Sequence, residues 1–279
     1  MRDITQLKHT RLFLFDMDGT LYLGDNLFPF TRALLEEIRA QGKKYLFFTN
    51  NSSKSVDAYV QKLERLGIAA AREDMVTSTQ VLIAYLQDNH PGKLFYAMGT
   101  DVFCRELEEG GVRITREPSD AVEGIAMGFD TELTFRKLDD VCRLLTEKDI
   151  PYAAANPDWV CPTEYGFVPD CGSVAEMIFR ATGKRPVFVG KPEPEMAFEG
   201  MRRAGIPPED TLMVGDRLYT DIACGNNAGV KTLLVLSGET DLDMAKASPH
   251  KGTYVLKDCG ELLKLLQGCA AEEACAYDL

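Results

Sequence analysis

The feature that most constrains the fold is a set of uninterrupted apolar runs, each of which gives way to polar residues. The first run, residues 11–15, stops abruptly at Asp16. Similar runs occupy residues 44–48, 211–214 and 231–236. Runs of this kind are typical of parallel strands that are buried on both faces.

A helical pattern separates each of these runs from the next along the chain. The predicted helices cover residues 31–41, 55–66, 194–204 and 221–228. Alternation of strand and helix predicts an α/β fold with a doubly wound parallel sheet. Ligands of such sheets bind outside the carboxyl ends of the strands, so the residues that follow the runs are the candidates for function.

The middle of the chain carries its own strand and helix patterns between residues 79 and 185. We therefore predict a split core, residues 1–78 and 187–279, with a smaller α/β domain inserted at residues 79–186. The apolar stretch at residues 186–189 is interpreted as the return of the chain to the first sheet.

Composition excludes several functional classes. The formal net charge of −12 disfavours a nucleic-acid or anionic-membrane surface, because both require clustered Lys and Arg. No apolar run reaches the roughly 18 residues of a membrane span, and the N-terminus lacks the apolar segment of a secretory signal. Eight cysteines without a Cys-x-x-Cys pair favour free thiols, so a reducing cytoplasmic location is expected.

Two carboxylates follow the first run, at Asp16 and Asp18, and Gly19 then allows a sharp turn. Carboxylates beside a buried strand are unfavourable without a compensating cation, which suggests a metal site. One carboxylate would then be available to attack phosphorus and the other to protonate a leaving oxygen. A solvated Asp-Gly turn is the alternative.

Polar groups that suit a phosphate follow two other predicted strands. Thr49, Asn50 and Asn51 offer a hydroxyl and two amides at a helix start, although the same residues are common helix caps. Lys191, between Gly190 and Pro192, is a candidate phosphate clamp, or alternatively a surface lysine.

Asp216 ends the third run and Asp221 opens the helix that follows it. Each can be explained separately as a cap or a solvated acid. In a doubly wound sheet, however, the ends of these strands converge on one crevice, where all the polar groups would meet. Their joint occurrence favours one functional site.

The four segments that begin at Asp16, Thr49, Gly190 and Gly215 resemble the four ordered motifs of the haloacid dehalogenase superfamily of phosphatases. The inserted domain is similar to the C2 cap of the branch that contains NagD and the p-nitrophenyl phosphatases. The resemblance spans nearly the whole chain.

The resemblance implies a role for each motif residue. Asp16 would be the nucleophile that forms an aspartyl-phosphate, and Asp18 would be the general acid and then the base. Magnesium would be held by Asp16, the backbone carbonyl of Asp18 and Asp216. Asp221 would steady the metal through water or Lys191.

The second motif and the lysine complete the implied site. Thr49, Asn50 and Lys191 would bind the phosphate, and Asn51 would orient the substrate or the cap junction. Magnesium and Lys191 would offset charge locally, which explains how an acidic protein binds an anion.

Other functional classes agree less well with the sequence. The superfamily's dehalogenases lack the acid found here at Asp18, so a phosphatase is favoured. No Walker P-loop is present, which argues against an enzyme that uses this phosphate-binding motif. No Cys is followed six positions later by Arg, which argues against a thiol phosphatase. A phosphomutase, which shares the aspartyl-phosphate step, and a non-enzymatic phosphometabolite-binding module remain the alternatives.

The substrate is expected to be a small phosphorylated metabolite, such as a sugar phosphate or a nucleoside monophosphate, or an aryl phosphate in assays. The inserted domain would choose among them, and a homodimer is expected only by family analogy. Candidate specificity residues in the insert are Asn156, Asp158, Tyr165, Asp170 and Ser173. Trp159 could stack on a substrate ring, although a structural role is favoured for it.

Overall fold

The structure is a computed structural model that describes residues 3–163 and 165–268. The strands, in chain order, are β1 (Leu12–Asp16), β2 (Tyr22–Leu23), β3 (Asn26–Leu27), β4 (Lys44–Thr49), β5 (Met75–Thr77), β6 (Leu94–Met98), β7 (Arg113–Thr115), β8 (Gly124–Met127), β9 (Tyr152–Ala154), β10 (Val160–Thr163), β11 (Gly166–Pro169), β12 (Val187–Phe188), β13 (Thr211–Gly215), β14 (Lys231–Val235) and β15 (Tyr254–Leu256). The α-helices are α1 (Thr31–Ala40), α2 (Val56–Arg65), α3 (Ser78–Asn89), α4 (Asp101–Glu109), α5 (Phe135–Glu147), α6 (Cys171–Thr182), α7 (Glu195–Ala204), α8 (Ala223–Asn227), α9 (Leu242–Ala247) and α10 (Cys259–Leu266).

The chain packs as two compact units. The first unit contains Met1–Thr49, Tyr59–Val76 and Lys191–Leu279, and the second contains Asn50–Ala58 and Thr77–Gly190. This division differs from the predicted domain bounds at residues 50–58, 77–78 and 187–190, which pack with the second unit.

A six-stranded sheet with the order β15-β14-β13-β1-β4-β5 forms the centre of the first unit. β1 lies between β13 and β4 and is parallel to both. Its four apolar residues, Leu12 to Phe15, are fully buried. The predicted α/β fold with a parallel sheet is therefore confirmed, and β1, β4, β13 and β14 coincide with the four apolar runs.

The helix predicted from residue 221 begins earlier than expected. A π-helical turn at Leu218–Ile222 precedes the short helix α8. The Asp221 carboxylate accepts a hydrogen bond from the backbone N–H of Arg217 at 3.0 Å. The Asp221 side chain therefore accepts a backbone N–H at the start of the turn in which Asp221 itself lies. It does not cap a helix that follows.

The second unit is built on a parallel five-stranded sheet with the order β12-β9-β8-β6-β7. The expectation that residues 186–189 rejoin the first sheet is wrong, because β12 pairs with β9 through Val187 opposite Ala153 and Phe188 opposite Ala154. Phe188 packs against the apolar core of the second unit, and this contact selects the sheet to which β12 belongs.

Threonine and aspartate side chains begin the helices of the second unit. Thr77, Thr100, Thr134 and Asp170 each accept a backbone N–H at the start of α3, α4, α5 and α6 respectively. β10 and β11 form a separate antiparallel hairpin.

Two further predictions can be compared with the described residues. The six cysteines among them are free thiols, and Cys269 and Cys275 lie outside the described residues. Within residues 3–163 and 165–268, no helix has the length and apolarity required to cross a membrane.

Candidate active site

Asp16 is the last residue of β1, the strand between β13 and β4. Its side chain is 16% exposed, so the carboxylate lies largely inside the protein. Burial raises the pKa of Asp16 well above its ordinary value, Lys191 opposes the shift, and Asp221 and Asp216 add to it. This carboxylate is therefore poorly solvated.

Lys191 joins two carboxylates from distant parts of the chain. Its Nζ donates to Asp16 Oδ1 at 2.7 Å and to Asp221 Oδ1 at 2.6 Å. The lysine side chain is only 3% exposed. Burial lowers its pKa, but the Asp16 and Asp221 carboxylates more than offset this effect, so the net pKa is raised and the amine is charged.

Asp216 follows β13 directly, and its two carboxylate oxygens have different partners. Oδ2 accepts the backbone N–H of Glu239 at 2.7 Å, and Oδ1 accepts the hydroxyl of Thr20 at 3.4 Å. A Cβ atom at Gly19 or Gly238 would overlap the Asp216 carboxylate. Glycine is therefore required on both sides of this side chain.

Asp221 completes the acidic group and is fully buried. Its Oδ1 accepts from Lys191 and its Oδ2 from the backbone N–H of Arg217. A Cβ atom at Gly215 would overlap the Asp221 side chain, so the end of β13 must also be glycine.

Asp16, Asp216 and Asp221 form the group of side chains, within the described part of the chain, that can hold a metal ion. One carboxylate oxygen from each lies within 4.8 Å of the others. Burial, followed by the Asp221 charge, raises the pKa of Asp216 to about 6. The Lys191 ammonium and the nearby Arg217 guanidinium offset only part of the charge that the three acids carry when ionised, and Arg217 also pairs with Glu239. Oxygen donors of this kind suit Mg²⁺.

Asp18 has a more exposed position than Asp16, Lys191, Asp216 and Asp221. Its side chain is 48% exposed, and Oδ1 accepts the backbone N–H of Gly24 at 3.4 Å. The Asp18 carboxylate is not part of the acidic group, whereas the resemblance assigns its backbone carbonyl to the metal. An exposed carboxylate is free to exchange protons with a substrate or with water.

The second motif is divided between the two units. Thr49 ends β4 in the first unit, whereas Asn50 and Asn51 belong to the second. Asn50 Nδ2 donates to Asp158 Oδ2 at 2.7 Å, and Asn51 Oδ1 accepts from the Ser53 hydroxyl at 2.7 Å. The phosphate-binding roles of these residues stay predictions.

Asp158 lies in a buried hydrogen-bonded group of the second unit. Asn156 Nδ2 donates to Asp158 Oδ2 at 2.8 Å and to Asp170 Oδ1 at 3.0 Å. Trp159 and Tyr165 are instead exposed at the hairpin, and the Ser173 hydroxyl donates to the Trp159 carbonyl at 2.5 Å. Of the candidate specificity residues, Asn156, Asp158 and Asp170 therefore form one connected group.

Sequence reasoning missed several groups that support the site. The Glu239 N–H and the Thr20 hydroxyl bind Asp216, and the Ser237 hydroxyl donates to the Gly19 carbonyl at 2.7 Å. Thr20 was inside the first motif and was detectable. Glu239 contributes through its backbone, which carries no signature in the residue type.

Comparison with known proteins agrees with this geometry. A family profile described as haloacid dehalogenase-like hydrolase matches residues 13–113, and a second, described as HAD-hydrolase-like, matches residues 188–262. The acid sugar phosphatase of Staphylococcus aureus (strain MRSA252) is 30% identical over 261 residues, which cover 94% of this chain and 100% of the relative.

Two solved structures have the same fold over nearly the whole chain. The 4-nitrophenylphosphatase of Thermotoga maritima has a TM-score of 0.89 and 37% identity, covering 94% of this chain and 99% of that one. The glycerol phosphate phosphatase of Mycobacterium tuberculosis, in complex with magnesium, has a TM-score of 0.87 and 31% identity, covering 100% and 82%.

The fold and the group of carboxylates around a lysine define a hydrolase of α/β architecture. The chain belongs to the haloacid dehalogenase superfamily, in its NagD-like branch, and is a phosphatase.

Proposed function

We propose that the protein hydrolyses small phosphomonoesters in a Mg²⁺-dependent reaction in which Asp16 is the nucleophile. The observation that carries this proposal is the buried group of Asp16, Asp216 and Asp221 around the Lys191 ammonium. Burial raises the pKa of Asp16, whereas the charged Lys191 amine opposes that shift and favours the ionised form that attack on phosphorus requires.

The carboxylates of Asp16 and Asp216 and the backbone carbonyl of Asp18 would hold the metal, and Asp221 would hold Lys191. When bound there, Mg²⁺ supplies positive charge that offsets the carboxylates and the transferring phosphoryl group. We assign Thr49, Asn50 and Lys191 to the phosphate oxygens and Asn51 to substrate orientation.

The reaction has two steps, both performed by residues of the first motif. A carboxylate oxygen of Asp16 forms a bond to phosphorus while the ester P–O bond breaks, and Asp18 gives its proton to the leaving oxygen. Asp18 then accepts a proton from water as that water attacks the phosphorus of the aspartyl-phosphate, releasing inorganic phosphate and restoring Asp16.

The names of the relatives support a proposal for the substrate class. The similar proteins are named acid sugar phosphatase, glycerol phosphate phosphatase and 4-nitrophenylphosphatase. We infer that a phosphorylated sugar or polyol is the natural substrate and that aryl phosphates serve as test substrates.

The cytoplasm is the compartment we infer, since the described cysteines are free.

The substitution Asp16→Asn tests the mechanism. Loss of the nucleophile is expected to lower kcat for 4-nitrophenyl phosphate by at least about 10³-fold, because the amide lacks the anionic oxygen that attacks phosphorus. Rapid quenching should trap a hydroxylamine-sensitive acyl phosphate in the wild-type protein and none in the variant. Asp243→Asn, which changes a 96% exposed acid of the same unit, serves as the control and should retain full activity.

Near-normal turnover by Asp16→Asn would contradict the nucleophile assignment. Activity that survives complete chelation of divalent cations would contradict the metal assignment. A screen of sugar, polyol, nucleoside and aryl phosphates, compared by kcat/KM, tests the substrate class. Transfer of the phosphate back to the sugar in place of release would identify a phosphomutase.

A further inference from the structure

Lys62 occupies a position beside the first motif that the proposed mechanism does not use. It lies in the part of α2 that belongs to the first unit, as do Asp18 and Tyr22. Its Nζ is 3.8 Å from Asp18 Oδ2 and 4.2 Å from the centre of the Tyr22 ring. A single ammonium group therefore faces both a carboxylate and an aromatic ring.

The Lys62 side chain is more enclosed than the carboxylate that it faces. The Lys62 side chain is 19% exposed and the Asp18 side chain 48%. The Tyr22 ring next to Lys62 is buried, and attraction to the π face of this ring favours the observed position of the ammonium. The Asp18 carboxylate is the more exposed member of the ion pair, and its Oδ1 accepts a long hydrogen bond from the Gly24 N–H at 3.4 Å.

The backbone ties the ring to the same loop. Asp18 and Tyr22 form an isolated bridge, and the Gly19 N–H donates to the Tyr22 carbonyl at 2.7 Å. The distance between the Asp18 backbone and the Tyr22 ring is therefore set by the turn. A cation placed on that ring has a fixed position relative to the carboxylate at the other end of the turn.

We propose that Lys62 is a positioning residue for phosphoryl transfer. Its ammonium, seated on the Tyr22 ring, selects the orientation from which the Asp18 carboxyl exchanges a proton with the leaving oxygen. Lys62 keeps its own protons throughout. The inference rests on the role proposed above for Asp18, and it adds a residue from outside the four motifs.

The test uses leaving groups of different basicity. Lys62→Met keeps the length of the side chain and removes the charge, so Asp18 should lose its preferred orientation. We expect kcat to fall about tenfold for phenyl phosphate, a poor leaving group, and less than about threefold for 4-nitrophenyl phosphate. KM should change little, and Lys62→Arg, which keeps the charge, should recover a large part of the loss.

Two further variants separate positioning from a structural role. Lys43→Met is the matched control, since Lys43 is a part-buried lysine of the same unit whose Nζ donates to the Lys8 carbonyl. Its kcat should equal that of the wild type for both substrates. The double variant Lys62→Met with Asp18→Asn should be no slower than Asp18→Asn alone, because Lys62 acts through Asp18.

Equal losses for both substrates, a change in KM alone, or additive losses in the double variant would overturn the proposal. The failure of the underlying mechanism has a different signature. If Asp18→Asn itself shows no dependence on the leaving group, then Asp18 is not the general acid. If Asp18→Asn shows the dependence and Lys62→Met does not, only the role of Lys62 is wrong.

Discussion

At the scale of single residues, the site depends on buried carboxylates that are packed against glycines. Asp216 is enclosed by Gly19 and Gly238, and Asp221 is enclosed by Gly215. This enclosure and the hydrogen bonds that each carboxylate accepts together favour one orientation of its side chain. Glycine is therefore part of the site although it contributes no functional group.

Gly19→Ala tests this enclosure. Gly19 has a φ of +90°, and its added methyl would overlap Asp216, so both backbone strain and displacement of the carboxylate are expected. We predict a loss of about 2 kcal/mol or more in the free energy of unfolding and a fall in kcat of at least about tenfold.

Gly42→Ala is the control for strain alone. Gly42 has a φ of +70° and open space around its Cβ position. It should lose about 1 kcal/mol of stability and keep its kcat. Denaturant unfolding and steady-state kinetics measure both effects. Equal kcat values for the two variants would show that Asp216 tolerates a neighbouring methyl.

The sequence predicted the residues of the site that stand at strand ends. Asp16, Lys191 and Asp216 were found because a charged residue after a predicted strand is unusual, and Asp221 was found at the start of the next predicted helix. The structure brings these four together. Lys62 could not be found in this way. It acts from a helix face, where an isolated lysine has no distinguishing pattern.

At the scale of elements, helix α7 packs beside the central strands through glycine. A Cβ atom at Gly200 would come within 2.7 Å of Phe48 and 3.1 Å of Leu14. The helix is also linked to the edge of the sheet by Arg203, which donates to the Met75 carbonyl at 2.7 Å. Glu199 holds that arginine by accepting its Nε at 2.6 Å.

Glu199→Gln tests the contribution of this ion pair to stability. Burial raises the pKa of Glu199, but hydrogen bonds from Arg202 and Arg203 outweigh it, so the net pKa is lowered. A lowered pKa means that the folded form favours the ionised acid. The stabilisation is therefore present above the ordinary value of 4.5 and is lost as the pH falls through the lower folded value.

We expect Glu199→Gln to lose roughly 0.5–1 kcal/mol at pH 7 and the difference from the wild type to shrink as the pH falls below 4.5. Urea unfolding at several pH values measures it. A difference that stays constant with pH would show that packing, rather than charge, is responsible.

The pairing of a strand with its neighbours was harder to predict than the position of the strand along the chain. The apolar run at residues 186–189 is compatible with either sheet, because its sequence specifies a strand and not a neighbour. The side chain of Phe188 decides the question by packing against the second unit's core. The π-helical turn at Leu218–Ile222 also depends on a contact, that of Asp221 with the Arg217 N–H, which no periodicity reveals.

At the scale of the whole molecule, the negative charge of the site destabilises the metal-free protein. The pKa of Asp216 is raised from 3.8 to about 6, first by burial and then by Asp221. The folded form therefore binds a proton that the unfolded form has released between these values, and stability falls as the pH rises through that window. Above it, the ionised carboxylate is unfavourable unless a cation is bound.

Thermal unfolding of Asp216→Asn tests whether the ionised Asp216 carboxylate destabilises the metal-free protein. At pH 8 in the presence of a chelator, the variant should melt at or above the wild-type temperature, because an unfavourable charge is gone. Added Mg²⁺ should stabilise the wild type by about 2.7 kcal/mol at about a hundredfold excess over its Kd and leave the variant nearly unchanged. A similar Mg²⁺ response in both proteins would exclude Asp216 as a ligand.

The order of the strands along the chain has a consequence for biosynthesis. β1 is complete within the first 16 residues, yet its partner β13 begins at residue 211, and Lys191 reaches Asp16 across 175 positions. At about 5–20 residues per second, a ribosome takes roughly 10–40 s to make that interval. During that time the edge of β1 that pairs with β13 has no partner strand in the nascent chain, although β4 is already made. Lys191, Asp216 and Asp221 join Asp16 only late in this interval or after it.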